Sequence, residues 1–153
     1  MATLPETSML LLERDGSRLT VLFNRPSVRN AISAAMWQEL DDVFAAIRGD
    51  REIRAVVLRG AGGNFSAGGD LKERDTAPDT KAVVERNMIG GNILDRIDRA
   101  PQAIVAVVQG NTLGGGFGLD GGCAFGSVAL EKPPGEHQPG RLVDRGERDA
   151  GIG

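Results

Sequence analysis

A cluster of three consecutive glycines just after an apolar stretch is the feature that most constrains how this chain can fold. The apolar stretch is Ala103–Val108, and the glycines lie within Leu113–Leu119. An apolar, β-branched run of that length is typical of a buried strand in a parallel or mixed sheet. Glycines beyond such a strand let the backbone turn sharply and bring its N–H groups close to a ligand. We therefore expect a strand that ends in a turn with accessible backbone donors.

This glycine cluster is open to two interpretations. If a helix begins there, its unpaired N–H groups and the helix dipole form a site for negative charge, as in an oxyanion hole. Taken alone, the cluster is explained equally well as a flexible loop. A second element rich in small residues, Phe65–Lys72, favours the first interpretation because it also follows an apolar run, Ile53–Leu58. Open α/β folds bind ligands at strand ends, and two N–H donors that converge there polarise a carbonyl group.

The remaining hydrophobic patterns predict an α/β layer. An Asp15-Gly16 pair between two apolar runs is a strong hairpin signal, and Ser33 is suited to cap an amphipathic helix. The predicted strands are Met9–Glu13, Arg18–Phe23, Ile53–Leu58 and Ala103–Val108, and the predicted helices are Ala34–Arg48 and Thr80–Arg99. We expect residues 75–80 to be a polar linker. Strands that alternate with helices are typical of α/β folds with right-handed crossovers.

Apolar residues at three- and four-residue spacing indicate which helix faces enter the core. The expected core positions are Trp37, Leu40, Phe44 and Ile47 in the first helix and Val83, Val84, Met88, Ile93, Leu94 and Ile97 in the second. Past Leu119 this hydrophobic period is lost, and residues 120–153 hold many glycines and scattered charges. We expect this tail to be irregular or disordered, because it cannot bury enough apolar surface to offset the entropy of ordering.

Composition narrows the classes of function. At 153 residues the chain fits a single domain, and a net charge of −3 with no Tyr and one Trp argues against nucleic-acid binding. The single Cys123 excludes an internal disulfide, and the single His137 argues against a zinc site or a Ser/His/Asp set. No apolar run approaches the roughly 20 residues of a membrane span, and the N-terminus lacks signal-peptide character. We expect a soluble, cytoplasmic protein with no metal, membrane or nucleic-acid partner.

The glycine cluster does not support a nucleotide-binding or hydrolase motif. Gly110–Gly116 lacks the Lys-Ser/Thr pair of a P-loop, and Gly114–Gly118 does not supply G-x-G-x-x-G. The G-x-S-x-G nucleophile elbow is also absent. Carbonyl polarisation by backbone donors is therefore the chemistry that the two glycine elements favour.

Three ordered motifs resemble the enoyl-CoA hydratase/isomerase (crotonase) family. They are Asn24-Arg25-Pro26 with Asn30-Ala31, then Phe65–Lys72, then Gly114–Leu119, and the resemblance covers about residue 8 to residue 119. It implies a crotonase-like ββα spiral within the α/β class. The Gly-Gly-Gly-Phe-Gly-Leu sequence looks most similar to hydratases of branched glutaconyl-CoA-type substrates, such as isohexenylglutaconyl-CoA hydratase.

The resemblance also implies a site and a substrate. Carried over by position, the two backbone donors of an oxyanion hole fall on Gly69 and Gly115, which would act on an acyl-CoA thioester. The implied substrate-binding residues are Arg29, Asn30, Ala31, Ala67, Gly68, Asp70 and Leu71. Coenzyme A enters as part of the substrate, with no separate cofactor and no metal. Family members form homotrimers or hexamers.

Three charged residues near these motifs each have two interpretations. Asp70 in the family is mainly a structural acceptor that pins its loop, and we favour that role over a catalytic one. Arg29 and Lys72 are either ordinary surface charges or phosphate contacts for coenzyme A.

The chain departs from the family where acid/base chemistry is expected. Many family hydratases carry a Glu two residues after the glycine triplet, paired with a second Glu farther on, and here the first position is Gly118. Nothing in residues 120–153 matches the second Glu. We therefore expect a truncated chain, with a partial crotonase-like domain at residues 1–119 and a tail at 120–153 that is foreign to the family, as a frameshift would give.

These features favour an enoyl-CoA hydratase in which Gly69 and Gly115 stabilise the thioester enolate while water adds to the α,β double bond. Isomerisation, dehalogenation and thioester hydrolysis share the same oxyanion hole within the family. The alternatives are a non-catalytic fragment, which at most binds acyl-CoA or pairs with intact subunits, and a plain α/β scaffold.

Overall fold

The structure, a computed structural model, describes residues 2–76 and 79–110. It contains strands β1 (Leu10–Asp15), β2 (Arg18–Phe23), β3 (Ala55–Gly60) and β4 (Ala103–Ala106), and helices α1 (Ala34–Ile47), α2 (Leu71–Asp75) and α3 (Thr80–Asp98). Single 3-10 turns lie at Pro26–Val28 and Ala61–Gly63. The glycine cluster with Gly115 and Gly118, and the tail predicted at 120–153, lie outside the described residues.

The strands of the described chain form one mixed sheet in the order β1-β2-β3-β4. β1 and β2 are antiparallel, with Leu10 opposite Phe23, so the hairpin predicted at Asp15-Gly16 is confirmed. β2, β3 and β4 are parallel, with Ala55 opposite Ala103 in the last pair. The C-terminal ends of these three strands therefore lie along one edge of the sheet, which is where open α/β folds bind ligands.

The core lies between the sheet and the two long helices. Strand β2 buries Leu19, Val21 and Phe23, the alternation expected of a strand with one face covered. The buried residues of α1 are Met36, Trp37, Leu40, Val43, Phe44 and Ile47. The predicted core positions of the first helix are thus confirmed. Each fully buried large apolar side chain contributes about 1.5–3 kcal/mol to folding.

Only the later turns of α3 enter this core, which corrects the prediction for that helix. Val84 and Met88 leave 49% and 61% of their surfaces exposed. The fully buried members of the predicted set are Ile93 and Ile97. Helix α3 meets α1 from Gly90 onward, where an added Cβ would lie 3.4 Å from the Trp37 ring. The spacing of apolar residues in the first turns of α3 therefore does not correspond to buried positions in the described structure.

Element boundaries differ from the prediction mainly at strand ends. β3 begins at Ala55 rather than Ile53 and continues to Gly60, and β4 ends at Ala106 rather than Val108. Helix α2 is absent from the sequence prediction, because its five residues are too few to show a hydrophobic period.

Candidate functional site

Two loops leave neighbouring parallel strands and join each other at the sheet edge. The first loop (residues 24–33) follows β2, and the second loop (residues 61–70) follows β3. A parallel bridge pairs Ile32 with Gly69. The Ile32 N–H donates to the Gly68 carbonyl at 2.7 Å, and the Ile32 carbonyl accepts from the Asp70 N–H at 3.0 Å. The bridge holds the two loops in a defined register.

Asn30 connects the two loops through its side chain. Its Oδ1 accepts from the Arg25 N–H at 2.9 Å, and its Nδ2 donates to the carbonyls of Ala61 and Asn64 at 2.8 and 2.7 Å. The residue is fully buried and adopts a left-handed backbone with φ of 55°, which Asn tolerates better than most residues. The Asn30 side chain therefore holds the loops together, and the predicted contact of this residue with coenzyme A stays a prediction.

The close approach of the second loop to Asn30 requires a glycine at the end of β3. A Cβ at Gly60 would overlap the Asn64 carbonyl oxygen and lie 2.6 Å from the Phe65 carbonyl oxygen and 2.8 Å from Asn30 Nδ2. The backbone conformation of Gly60 itself is ordinary extended strand. The requirement is therefore for space, because the loop folds back directly over this position.

Ser66 binds the second loop to the first from inside the fold. Its Oγ donates to the Asn30 carbonyl at 2.9 Å and accepts from the Gly68 N–H at 3.1 Å, and the residue is fully buried. Next to it, the Ala67 N–H donates to the Arg29 carbonyl at 2.8 Å. Gly68 has a φ of 91°, a conformation that side chains disfavour. The backbone just before Gly69 is thus held on several sides.

The N–H of Gly69 makes no hydrogen bond to any residue in the described ranges, whereas the N–H groups of Ala67, Gly68 and Asp70 are all bonded within the fold. The carbonyl of Gly68 and the N–H of Gly69 belong to one planar trans peptide, and they point in opposite directions. Since that carbonyl faces Ile32, the Gly69 N–H faces away from the first loop. Gly69 is half-buried, and within the Ala67–Asp70 stretch its N–H is the donor left without an acceptor among the described residues.

Asp70 acts as an anionic acceptor for its surroundings. Its Oδ1 accepts from the N–H groups of Lys72 and Glu73 at 3.1 and 3.4 Å, so it caps α2, and its Oδ2 accepts from the Arg25 guanidinium at 3.1 Å. Burial raises the pKa of Asp70, but the hydrogen bonds from Arg25 and the helix N–H groups outweigh it, and the net pKa lies below the ordinary value. These contacts agree with the predicted role of pinning the loop.

The chain that leaves β4 runs beside the second loop. The Phe65 N–H donates to the Gln109 carbonyl at 2.7 Å. A Cβ at Gly110 would lie 2.5 Å from the Gly63 carbonyl oxygen and 2.6 Å from Asn64 Oδ1. The chain therefore lies beside the second loop as far as residue 110. The second predicted donor, Gly115, lies outside the described residues.

The other predicted site residues lie along the two loops and at the start of α2. Arg29 and Lys72 are exposed, and Ala31 and Ala67 are half-buried. Leu71, at the start of α2, leaves 60% of its surface exposed. Either interpretation of the two cations, as surface charges or as phosphate contacts, is consistent with their exposure.

Two residues that organise this site have no assigned role in the sequence analysis. Arg25 reaches both Asp70 and the carbonyl of Ala31, the latter at 2.5 Å, and Ser66 joins the loops as described above. For Ser66 a signal does exist in the sequence, since a Ser two residues before a Gly often bonds the local backbone. For Arg25 we find no local signal, because its partner is 45 residues away in the chain.

In the part of the chain that the structure describes, none of the helices combines the length and the hydrophobicity of a membrane span. The same residues contain no group of three or more His, Cys, Asp or Glu side chains placed to hold a metal ion.

The fold and the site together define an α/β protein in which loops from parallel strands present a backbone donor at the sheet edge. A family model described as enoyl-CoA hydratase/isomerase matches residues 13–129. The chain belongs to this family. The boundary between a partial domain and a tail at residue 119 stays a prediction.

Curated relatives include both hydratases and isomerases. A short-chain-enoyl-CoA hydratase from Clostridium acetobutylicum is 33% identical over 122 residues, which cover 77% of this chain and 45% of the relative. The human mitochondrial Delta(3,5)-Delta(2,4)-dienoyl-CoA isomerase is 35% identical over 115 residues, which cover 69% of this chain and 35% of the relative. The chain thus spans less than half the length of these relatives.

Solved structures confirm the crotonase-like fold. Pseudomonas aeruginosa AtuE superposes with a TM-score of 0.76 at 45% identity, covering 78% of this chain and 47% of that one. An enoyl-CoA hydratase/isomerase from Marinobacter aquaeolei gives a TM-score of 0.73 at 38% identity, covering 77% and 47%. The predicted α/β class and crotonase-like architecture are therefore confirmed for the matched part of the chain.

Proposed function

We propose that this chain binds an acyl-CoA thioester at the edge of its sheet and stabilises the thioester enolate during hydration of an α,β-unsaturated acyl-CoA. The observation that carries the proposal is the half-buried Gly69 N–H, which is directed away from the first loop and has no acceptor among the described residues. Gly115 would supply the second donor. Hydratases among the relatives support the reaction type.

Hydration of an enoyl thioester builds up negative charge on the thioester oxygen, and a backbone N–H donor close to that oxygen stabilises it. Water adds to the β carbon of the double bond, and the displaced electron pair moves onto the thioester oxygen, which becomes an enolate oxygen. The enolate then collapses as the α carbon takes up a proton, so that the hydroxyl group and one proton of the water have been added across the double bond. A preorganised backbone N–H stabilises the enolate, and removal of one such donor costs about 2.7–4 kcal/mol in measured enzymes.

For the substrate, we extend the proposal to branched glutaconyl-CoA-type compounds such as isohexenylglutaconyl-CoA, on the strength of the Gly-Gly-Gly-Phe-Gly-Leu sequence. Coenzyme A would arrive as part of the substrate, with no separate cofactor. Its adenine and pantetheine would lie along Arg29, Asn30 and Ala31 and along the stretch Ala67–Leu71. A cytoplasmic location and a homotrimer or hexamer complete the proposal.

The second candidate function is binding of acyl-CoA without catalysis. The observation that favours it is Gly118, which has no side chain where many family hydratases have a catalytic Glu. A protein with the oxyanion hole but without the acid/base group would hold the thioester without adding water to it.

Calorimetric titration with an acyl-CoA, run beside a hydration assay on crotonyl-CoA, distinguishes the two. Binding with loss of the enoyl absorbance supports the hydratase. Binding without turnover supports the second candidate. A chain that neither binds nor turns over substrate contradicts both and leaves only a structural scaffold.

A further inference from the structure

Ser66 has a position in the site that the proposed function does not use. Its hydroxyl has one proton, which it donates to the Asn30 carbonyl at 2.9 Å, and it accepts from the Gly68 N–H at 3.1 Å. The residue is fully buried, so water does not compete for either bond. The hydroxyl therefore connects the backbone of the first loop to the peptide that precedes the Gly68–Gly69 unit.

Asn30, whose carbonyl accepts the hydrogen bond from Ser66, is itself held firmly. Its side chain makes hydrogen bonds to three backbone groups, and its own N–H donates to the Arg25 carbonyl at 2.9 Å. The Asn30 carbonyl that receives the Ser66 proton thus belongs to a residue with little freedom to move. A bond to such a fixed acceptor orients the hydroxyl, and through it the N–H of Gly68.

The Gly68–Gly69 peptide decides where the proposed donor points. Gly68 has a φ of 91°. Because glycine has no side chain, it adopts positive and negative φ values about equally readily. Rotation of this peptide would turn the Gly69 N–H toward the first loop and away from a ligand. Ile32 opposes that rotation directly, because its N–H donates to the Gly68 carbonyl at 2.7 Å. Ser66 acts one peptide earlier, because it accepts from the Gly68 N–H and so fixes the peptide from which the Gly68–Gly69 unit extends.

We propose that Ser66 is a positioning residue that keeps the Gly69 N–H aimed at the substrate carbonyl. The inference rests on the proposed function for its catalytic meaning, but the orientation that it assigns to the Gly69 amide is measurable without a substrate. Ser66 itself does not touch the substrate. Its effect is on the polarisation of a bound thioester and not on the strength with which coenzyme A is held.

The test compares Ser66→Ala with the unmodified chain, using 2,4-hexadienoyl-CoA as the probe. A conjugated thioester absorbs at longer wavelength when donors polarise its carbonyl, so the absorbance maximum at saturation reports the oxyanion hole directly. We expect Ser66→Ala to keep a Kd close to that of the unmodified chain but to lose most of the red shift. If turnover is present, kcat falls roughly tenfold, below the loss expected on removing a donor outright, while KM is little changed.

Two further variants separate positioning from general loss of stability. Ser66→Thr keeps the hydroxyl and is expected to restore the red shift. Ile47→Val weakens the core at a buried position of α1 outside the two loops and is expected to leave the red shift intact. An unchanged red shift in Ser66→Ala overturns the inference, as does an equal loss in Ile47→Val.

Amide hydrogen exchange by NMR decides the inference independently of binding. We expect Ser66→Ala to speed exchange at Gly68 and to change the amide chemical shift of Gly69, with the amides of α1 unaffected. Unchanged amides at these two glycines overturn the inference even if substrate binds. Failure of the unmodified chain to bind acyl-CoA overturns the proposed function instead, and the exchange data still decide whether Ser66 orients the amide.

Discussion

At the scale of single residues, the candidate site depends on backbone groups whose direction is set by neighbouring hydrogen bonds. The Gly68 carbonyl faces Ile32, and for that reason the N–H of the same peptide faces outward from Gly69. The donor is a backbone N–H, so most substitutions of the side chain leave it in place. Proline is the exception, because its backbone nitrogen carries no hydrogen.

Replacement of Gly69 by proline removes the proposed donor and is expected to lower kcat/KM for hydration by about 10²–10³-fold, or to abolish the red shift of a bound dienoyl-CoA where turnover is absent. The Gly69 N–H has no partner among the described residues, so the change breaks no described hydrogen bond of the fold. Gly69→Ala is the matched control, because it keeps the N–H. Equal effects of the two substitutions would contradict the donor role.

Asp70 is the second residue with a measurable consequence. Because its pKa is lower in the folded protein than the ordinary value of 3.8, its contribution to stability is present above that pH and is lost as the pH falls through the folded pKa. We expect Asp70→Asn to lower the free energy of unfolding at pH 7 by about 1.5–3 kcal/mol, the range for hydrogen bonds to charged groups.

Urea denaturation at several pH values measures this difference. The gap between the unmodified chain and Asp70→Asn should narrow as the pH falls below 3.8. Asp42→Asn, at an exposed position of α1, is the control and should show a small gap at every pH. A gap for Asp70→Asn that does not depend on pH would contradict the ionised role of this carboxylate.

At the scale of elements, the site exists because two loops from adjacent parallel strands are bonded to each other. The Asn30 side chain donates to the carbonyls of Ala61 and Asn64 in the second loop. The absence of a side chain at Gly60 leaves room for that approach. The bridge between Ile32 and Gly69 completes the connection. Loops are normally the mobile parts of a fold, and these bonds make them a defined surface.

Replacement of Asn30 by alanine tests this connection. It leaves the Arg25 N–H and the carbonyls of Ala61 and Asn64 without their present partner, and we expect the free energy of unfolding to fall by roughly 1.5–4 kcal/mol for the three bonds. Asn87→Ala, at an exposed position of α3, is the control. Chemical denaturation that shows equal, small effects for both variants would contradict the connecting role.

At the scale of the whole molecule, the sheet brings together three strand ends that lie far apart in the sequence. The parallel strands β2, β3 and β4 end at one edge, and the Phe65 N–H bonds to Gln109 as the chain leaves the last of them. Helices α1 and α3 connect these parallel strands, and such crossover connections make this convergence possible. The same arrangement superposes on the solved structure of an enoyl-CoA hydratase/isomerase.

Assembly of several chains is the prediction at this scale. The family resemblance implies a homotrimer or hexamer, and large apolar side chains such as Leu71 and Met88 are more than half exposed in the single chain. Exposed apolar surface of this kind is often covered on association. We expect light scattering to give the mass of three or six chains, and a monodisperse single chain would contradict the prediction.

The sequence by itself determined the strands, the two long helices and the family. Each depends on patterns within short segments: alternation in β2, helical spacing in α1, and the three motifs. Only the tertiary structure decided how Asn30, Ser66 and Arg25 join the two loops, because the partners across the loops lie 31 to 45 residues away. It also decided that the early turns of α3 stay exposed and that Gly69 presents its N–H, since burial and donor direction depend on which elements meet in space.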